Sequence, residues 1–179
     1  TYRPVMQSPN PKGWYHSVVN VASTPEGLVA TYRLSDVHCA MHTTIMTARS
    51  RDGGVTWTEH RPISHLNAWE HHAVWIAPQL SRLADGRLVL IADRGHRTPQ
   101  NDWPMLTDWQ RQPRGMSNHL FWSDDHGRSW TGPTKIDDLG AEPSYVVQLS
   151  DGTLLFTLVE VGDDPEMDQP PQPWGSRYY

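Results

Sequence analysis

Residues 50–57 and 123–130 write the same turn twice. Ser50-Arg51-Asp52-Gly53-Gly54-Val55-Thr56-Trp57 and Ser123-Asp124-Asp125-His126-Gly127-Arg128-Ser129-Trp130 both read S-x-D-x-G-x-[ST]-W, and an internal repeat of this kind constrains the architecture more than any single residue does. Each matched position has a mechanical role. Asp52 and Asp125 can accept hydrogen bonds from backbone N–H groups further along the turn, and Gly54 and Gly127 supply the positive φ that the turn needs. Ser50 and Ser123, with the hydroxyls of Thr56 and Ser129, close it. Trp57 and Trp130 then lay a large ring against the body of a sheet.

A second pattern, strand–turn–strand, interleaves with the first. Val18–Val21 turns at Pro25-Glu26-Gly27 into Leu28–Tyr32, Gln79–Leu83 turns at Asp85-Gly86 into Leu88–Ile91, and Tyr145–Leu149 turns at Asp151-Gly152 into Leu154–Phe156. Asp-Gly between β-rich segments is a strong hairpin signal. Each hairpin followed by one repeated turn makes a four-stranded unit, the blade of a β-propeller. The Gly27–Gly86 and Gly86–Gly152 spacings of 59 and 66 residues exceed a minimal blade, and the excess falls in the loops around 95–116 and 162–179. No stretch carries a sustained 3.6-residue apolar period, and 15 prolines interrupt most helix candidates. The predicted class is therefore all-β: four-stranded antiparallel blades at 14–62 and 72–136, the start of a third at 142–162, and a loop over 163–179.

The repeated turn resembles the Asp box (BNR repeat) of the sialidase, or neuraminidase, superfamily. That resemblance implies a six-bladed ring, of which about two and a half blades are present here, so further blades or self-association with a second copy would complete it. Propeller geometry places the two repeated turns and the Asp-Gly turns on one rim. The blade lead-ins and the loops between second and third strands lie on the other, around the channel mouth, where binding sites form. Function is therefore expected away from Asp52 and Asp125.

The mouth-side residues are Tyr15, His16, His71, His72, Glu142 and Tyr145 at the blade lead-ins, and Arg33, Asp36, Arg94 and Asp102 on the long loops 33–42 and 94–118. Glu142, just ahead of a V-x-x-L-x-D-G strand, resembles the family's glutamate that deprotonates a tyrosine nucleophile, a phenol whose ordinary pKa near 10 makes it a poor nucleophile at neutral pH. The family's general acid is an aspartate on an early mouth loop, and Asp36 and Asp102 both stand on such loops. His71 and His72 are further catalytic candidates, with His16, Tyr15, Arg33, Arg94 and Tyr145 as substrate contacts. The chain departs from the family at its arginines. Tyr15-His16-Ser17 and Ile76-Ala77-Pro78 stand where an Arg-Ile-Pro motif belongs, and Thr157-Leu158-Val159-Glu160 stands where a further arginine of the carboxylate clamp would follow. Without that clamp a sialic acid carboxylate loses charge-assisted hydrogen bonds.

Three functions follow as expectations: a sialidase-like glycoside hydrolase acting on a terminal sugar, a propeller polysaccharide lyase in which His and Tyr abstract a proton beside a uronate, and a non-catalytic glycan- or protein-binding propeller. Nine Trp and ten His against two Phe suit a carbohydrate partner, since an indole face stacks on the C–H face of a pyranose. A net charge of −5 with no basic cluster argues against nucleic acid or an anionic membrane surface. No apolar run reaches the roughly 18 residues of a membrane span. One cysteine, Cys39, excludes an intrachain disulfide, and the compartment reading leans to a secreted or periplasmic setting. No cofactor is expected, and no metal site: His38 and His42 would lie about 13 Å apart on extended chain, and His71 and His72 would point to opposite faces of a strand.

Overall fold

The computed structural model describes residues 15–37, 40–97, 99, 116–138 and 140–160, all strands, turns and loops. The predicted hairpins form. β1 (Tyr15–Thr24), β2 (Gly27–Ser35), β3 (His42–Ser50) and β4 (Thr58–Asn67) pair in sequence order as one antiparallel sheet. In the second sheet the first strand is broken by Ile76-Ala77-Pro78 into β5 (Ala73–Trp75) and β6 (Gln79–Arg82), both paired to β7 (Leu88–His96). β8 (Met116–Ser123) and β9 (Thr131–Asp137) complete it. A third unit begins with two short ladders, β10 (Gly140–Ala141) to β13 (Val159–Glu160) and β11 (Val147–Gln148) to β12 (Leu154–Leu155). This is an all-β propeller, present here as two full blades and the beginning of a third.

Blades hold together through alternation along their strands. On β7, Leu88, Leu90 and Ala92 face the first blade and share a core with Val29, Ile45, Trp75, Leu80 and Phe121, while Val89 and Ile91 face the third blade with Leu83 and Val146. Period-2 geometry dictates this split, and a strand sandwiched between blades is accordingly apolar on both faces. Burying each such side chain contributes roughly 1.5–3 kcal/mol. Polar ties cross the same seams. Asn20 Nδ2 donates to the Pro78 carbonyl at 2.7 Å, the Trp75 amide to Thr43 Oγ1 at 2.6 Å, and the Ala84 amide to Gln148 Oε1 at 2.8 Å.

The two repeated turns are built alike. Ser50 Oγ donates to Asp52 Oδ1 at 2.8 Å and accepts from the Gly54 amide at 2.8 Å; the amides of Val55 and Thr56 and the Thr56 hydroxyl complete the shell of Asp52. Ser123, Gly127, Arg128 and Ser129 repeat that pattern around Asp125. The Thr56 hydroxyl foremost, then its amide, hold the Asp52 carboxyl down to about 2. Against the upward push of partial burial, the Ser129 hydroxyl and amide hold Asp125 down to about 2 as well. Trp57 and Trp130 are half-buried, and Trp130 packs on the core between the first two blades.

Both turns lie on the rim of the β1–β2 turn. Arg49, almost wholly buried, pairs with Glu26 at 2.8 Å and Glu59 at 3.4 Å, and Arg128 of the second repeated turn reaches across the seam to the same Glu26. The second turn is seated on the first blade so closely that a Cβ on Gly127 would lie 2.7 Å from Val29 Cγ1.

Candidate functional site

At the opposite ends of these strands stand the mouth-side residues. Pairing Leu28 with Ser50, and Leu88 with Ser123, puts Arg33 and Asp93 at the same register position of successive blades. Arg33 was expected at the start of a loop. It lies instead within β2, 5% exposed, with its Nε donating to Ser17 Oγ at 3.0 Å. Arg94 likewise lies within β7, and its guanidinium donates to the His71 carbonyl at 3.1 Å. Both arginines therefore brace the chain of the mouth.

Asp93 is the residue that sequence reasoning passed over. It continues the third-blade face of β7 and is 0% exposed. Its Oδ1 accepts from the Ala77 amide at 2.6 Å, in the break between β5 and β6, and its Oδ2 accepts from the Glu142 amide at 2.9 Å. Burial pushes the Asp93 carboxyl up, the two amides pull it down, and the charge of Glu142 adds to the rise. One carboxylate thus ties the lead-in of the third blade to the first-strand break of the second. Glu142 sits there with φ at 51°, in the left-handed region, and its side chain is exposed. A non-glycine residue is held in that region only where its surroundings over-determine it, and the Asp93 bond is such a constraint. Tyr145, three residues on, is exposed.

A second group gathers where β3 begins and β4 ends. Cross-strand pairing sets Thr44 opposite His65 and His42 opposite Asn67. Asp36 pairs with His42 at 3.5 Å, Thr44 Oγ1 lies 2.8 Å from His65 Nδ1, and the His65 and His71 rings meet edge-on at 6.3 Å. Asn67 Oδ1 accepts from the amides of Trp69 and Glu70, the Asn67 amide donates to His71 Nδ1, and Asn67 Nδ2 donates to Glu70 Oε2 at 2.9 Å. Burial lowers the His65 pKa, helped by His71 and His42 and opposed by Glu70. His72 takes φ 48° in the same connection, and its carbonyl accepts from the Arg97 amide. His71 and His72 thus occupy a turn ahead of β5, where strand alternation had been expected to separate them.

His16 lies in a third group, its ring edge-on to Tyr32 at 5.6 Å, and Tyr32 shares a hydrogen bond with His60 at 3.2 Å. Burial pushes the Tyr32 phenol up to about 12 and, with His60, lowers His16. Tyr15 precedes His16 on β1 and projects to the other face by alternation. Asp102 lies outside the described residues. Among the described residues, no hydrogen bond, ion pair or ring contact joins Glu142 directly to Asp36, His71 or His72; Glu142 and His71 are instead each bonded to neighbouring residues of β7, Asp93 and Arg94. Among the described residues there is also no group of three His, Cys, Asp or Glu side chains able to hold a metal ion, and no helix long and apolar enough to cross a membrane.

No protein-family model and no curated protein sequence matches the chain. Solved structures do resemble it. A protein of unknown function from Dyadobacter fermentans DSM 18053 superposes with a TM-score of 0.58 at 14% identity, over 94% of this chain and 50% of that one. A sialidase from Trypanosoma rangeli, in complex with sialic acid, gives 0.58 at 14% identity over 81% of this chain and 26% of that one. An endo-arabinase from Bacteroides thetaiotaomicron VPI-5482 gives 0.57 at 14% identity over 97% of this chain and 57% of that one. At such identity the likeness is one of fold. The chain spans between 26% and 57% of the length of these three proteins.

Proposed function

We propose that this chain carries part of the mouth of a glycan-processing propeller, and that the protein is a glycoside hydrolase acting on a terminal sugar with Glu142 as proton acceptor. The observation that carries this reading is the pairing of Glu142 with Asp93. An exposed carboxylate on a main chain pinned by a buried one meets the requirement that a catalytic base be held in place without its proton-accepting oxygens being used up. Two solved structures of like fold are named for glycan-cleaving activities, sialidase and endo-arabinase, which supports the substrate class. The role of Glu142 is to take the proton from an attacking hydroxyl, water or phenol, as it bonds to the anomeric carbon. A mouth-loop carboxylic acid, with Asp36 the described candidate, would protonate the departing glycosidic oxygen.

The sialidase form of the reading is the finer alternative. Its carboxylate clamp would need arginines free to meet the sugar in bidentate fashion, whereas Arg33 and Arg94 brace Ser17 and the His71 carbonyl. That favours a sugar without a carboxylate. A lyase using Tyr15 with His16, His71 or His72 would need an accessible phenol beside an imidazole; Tyr15 is 39% exposed but alternates to the other face of β1 from His16, whose ring meets the buried Tyr32 instead. The test is product analysis on a panel of 4-nitrophenyl glycosides, including arabinofuranoside, galactopyranoside and sialoside, with a polyuronate control read for the ultraviolet absorbance of an unsaturated product. A reducing sugar released by the wild-type protein and lost in Glu142→Gln supports hydrolysis. Turnover surviving in Glu142→Gln, or an unsaturated product, overturns it.

A further inference from the structure

Trp69 presents a large apolar ring to solvent at the mouth rim, 55% exposed, and the chain around it is unusually well fixed. Asn67 Oδ1 takes the amides of Trp69 and Glu70 at 3.1 and 2.8 Å, and the Asn67 carbonyl takes the His71 amide at 3.0 Å. The His42 ring lies beside the indole, 6.2 Å between centroids at a 31° tilt. An exposed tryptophan on a floppy loop would bury itself or fray, since leaving that area in water forgoes the gain of burial. Here the backbone is ordered so that the ring stays out.

The groups around the indole are hydrogen-bonding ones. Asp36 and Glu70 are exposed carboxylates that can accept from hydroxyls. His71 Nδ1 accepts from the Asn67 amide at 3.2 Å, which leaves its Nε2 to face a ligand. Among the described residues, the exposed fixed charges here are the two carboxylates; the guanidinium of Arg94 is turned to the His71 carbonyl, and that of Arg97 is buried against Met41 Sδ at 3.1 Å. A flat apolar ring bordered by carboxylate acceptors and an imidazole N–H matches the C–H face of a pyranose or furanose whose hydroxyls point outward, and carboxylates as the exposed charges disfavour an anionic sugar.

We propose that Trp69, flanked by His42, His71, Asp36 and Glu70, is a platform that binds a neutral sugar residue of an oligosaccharide. The proposal rests on the glycan reading given above and not on hydrolysis. It is tested by calorimetric titration of the full protein with cellohexaose, arabinohexaose and hexagalacturonate. A neutral hexaose should bind the wild type, hexagalacturonate should bind about tenfold more weakly or worse, and Trp69→Ala should raise the Kd of the neutral hexaose about tenfold. Trp69→Phe, which keeps an aromatic face, should recover most of that loss, whereas Trp69→Leu, similar in burial but without the face, should not. The proposal fails if neither neutral hexaose binds the wild type, if hexagalacturonate binds most tightly, or if Trp69→Ala binds within about twofold of wild type. Turnover is read separately in Glu142→Gln. Turnover that survives there while the Trp69 series behaves as stated removes the hydrolase reading and leaves the platform standing.

Discussion

Replacing Gly127 by Ala asks how firmly the second repeated turn is seated on the neighbouring blade. Gly54 and Gly127 occupy matching places in the two turns with φ of 87° and 82°, so alanine meets a similar backbone penalty at either, about 1–2 kcal/mol. Their surroundings differ. A Cβ at Gly54 would meet Leu28 Cδ1 at 3.5 Å, an ordinary contact, but one at Gly127 would lie 2.7 and 3.1 Å from the two methyls of Val29. Val29 is 1% exposed in the core between the first two blades, so it has little room to withdraw, and overpacking of this kind costs about 1–3 kcal/mol. Gly127→Ala should therefore destabilise by about 2–5 kcal/mol and Gly54→Ala by about 1–2 kcal/mol. Urea unfolding measures both, as a fall in midpoint at constant m. The Val29→Ala background removes the obstructing methyls, and in a double-mutant cycle it should return about 1–3 kcal/mol of the Gly127→Ala loss. Equal losses at Gly54 and Gly127, with no coupling to Val29, would refute the packing of the second turn on the first blade.

Asp93→Asn keeps the shape of the buried side chain but sets an NH2 donor against the amide of either Ala77 or Glu142. It should cost about 1–3 kcal/mol and speed hydrogen exchange at those two amides, and unchanged protection would contradict the tie. The aspartates also give stability two limbs in pH. Asp52 and Asp125 are held down to about 2; their contribution is complete above the unfolded carboxyl range near 4 and is lost as pH falls towards about 2. Asp93 has the opposite sign, because its raised carboxyl makes folding more favourable as pH falls through its folded pKa. Urea midpoints should therefore rise slightly on mild acidification and drop below about pH 4. Asp93→Asn should abolish the rise, and Asp52→Asn with Asp125→Asn should flatten the drop; an Asp93→Asn protein that keeps the rise would sink the assignment.

The blades were legible in the sequence because their determinants are local. Pro25-Glu26-Gly27, Asp85-Gly86 and the two repeated turns each carry their own hydrogen-bonding residues, so the hairpins could be placed without knowing their neighbours. The groups at the mouth depend on register, which is set by pairing between distant segments. The arrangement of His42, His65 and His71 follows from Thr44 standing opposite His65 and His42 opposite Asn67, and no spacing along the chain reveals it. Asp93 ends an apolar run, Leu88–Ala92, that reads as an ordinary strand. Aligning the Leu28-Val29 and Leu88-Val89 pairs that open the two second strands would have set it level with Arg33 and marked a charged pair of positions facing successive seams. Arg33 and Arg94 read as the first residues of loops because they follow the second-strand segments Leu28–Tyr32 and Leu88–Ile91. Here β2 and β7 continue past them, since each guanidinium finds an oxygen within the wall of the mouth.

The central claim is that the repeated turns hold the fold while chemistry belongs to Glu142 at the other rim. It is tested most directly by measuring kcat and the urea midpoint together for Glu142→Gln, Asp52→Asn and Asp125→Asn, on whichever glycoside the wild type cleaves. The account predicts that Glu142→Gln lowers kcat by about 100-fold or more with little change in midpoint, and that the two turn variants lower the midpoint while kcat stays near wild type. A Glu142→Gln protein with wild-type kcat, or a turn variant that loses kcat at an unchanged midpoint, would contradict it.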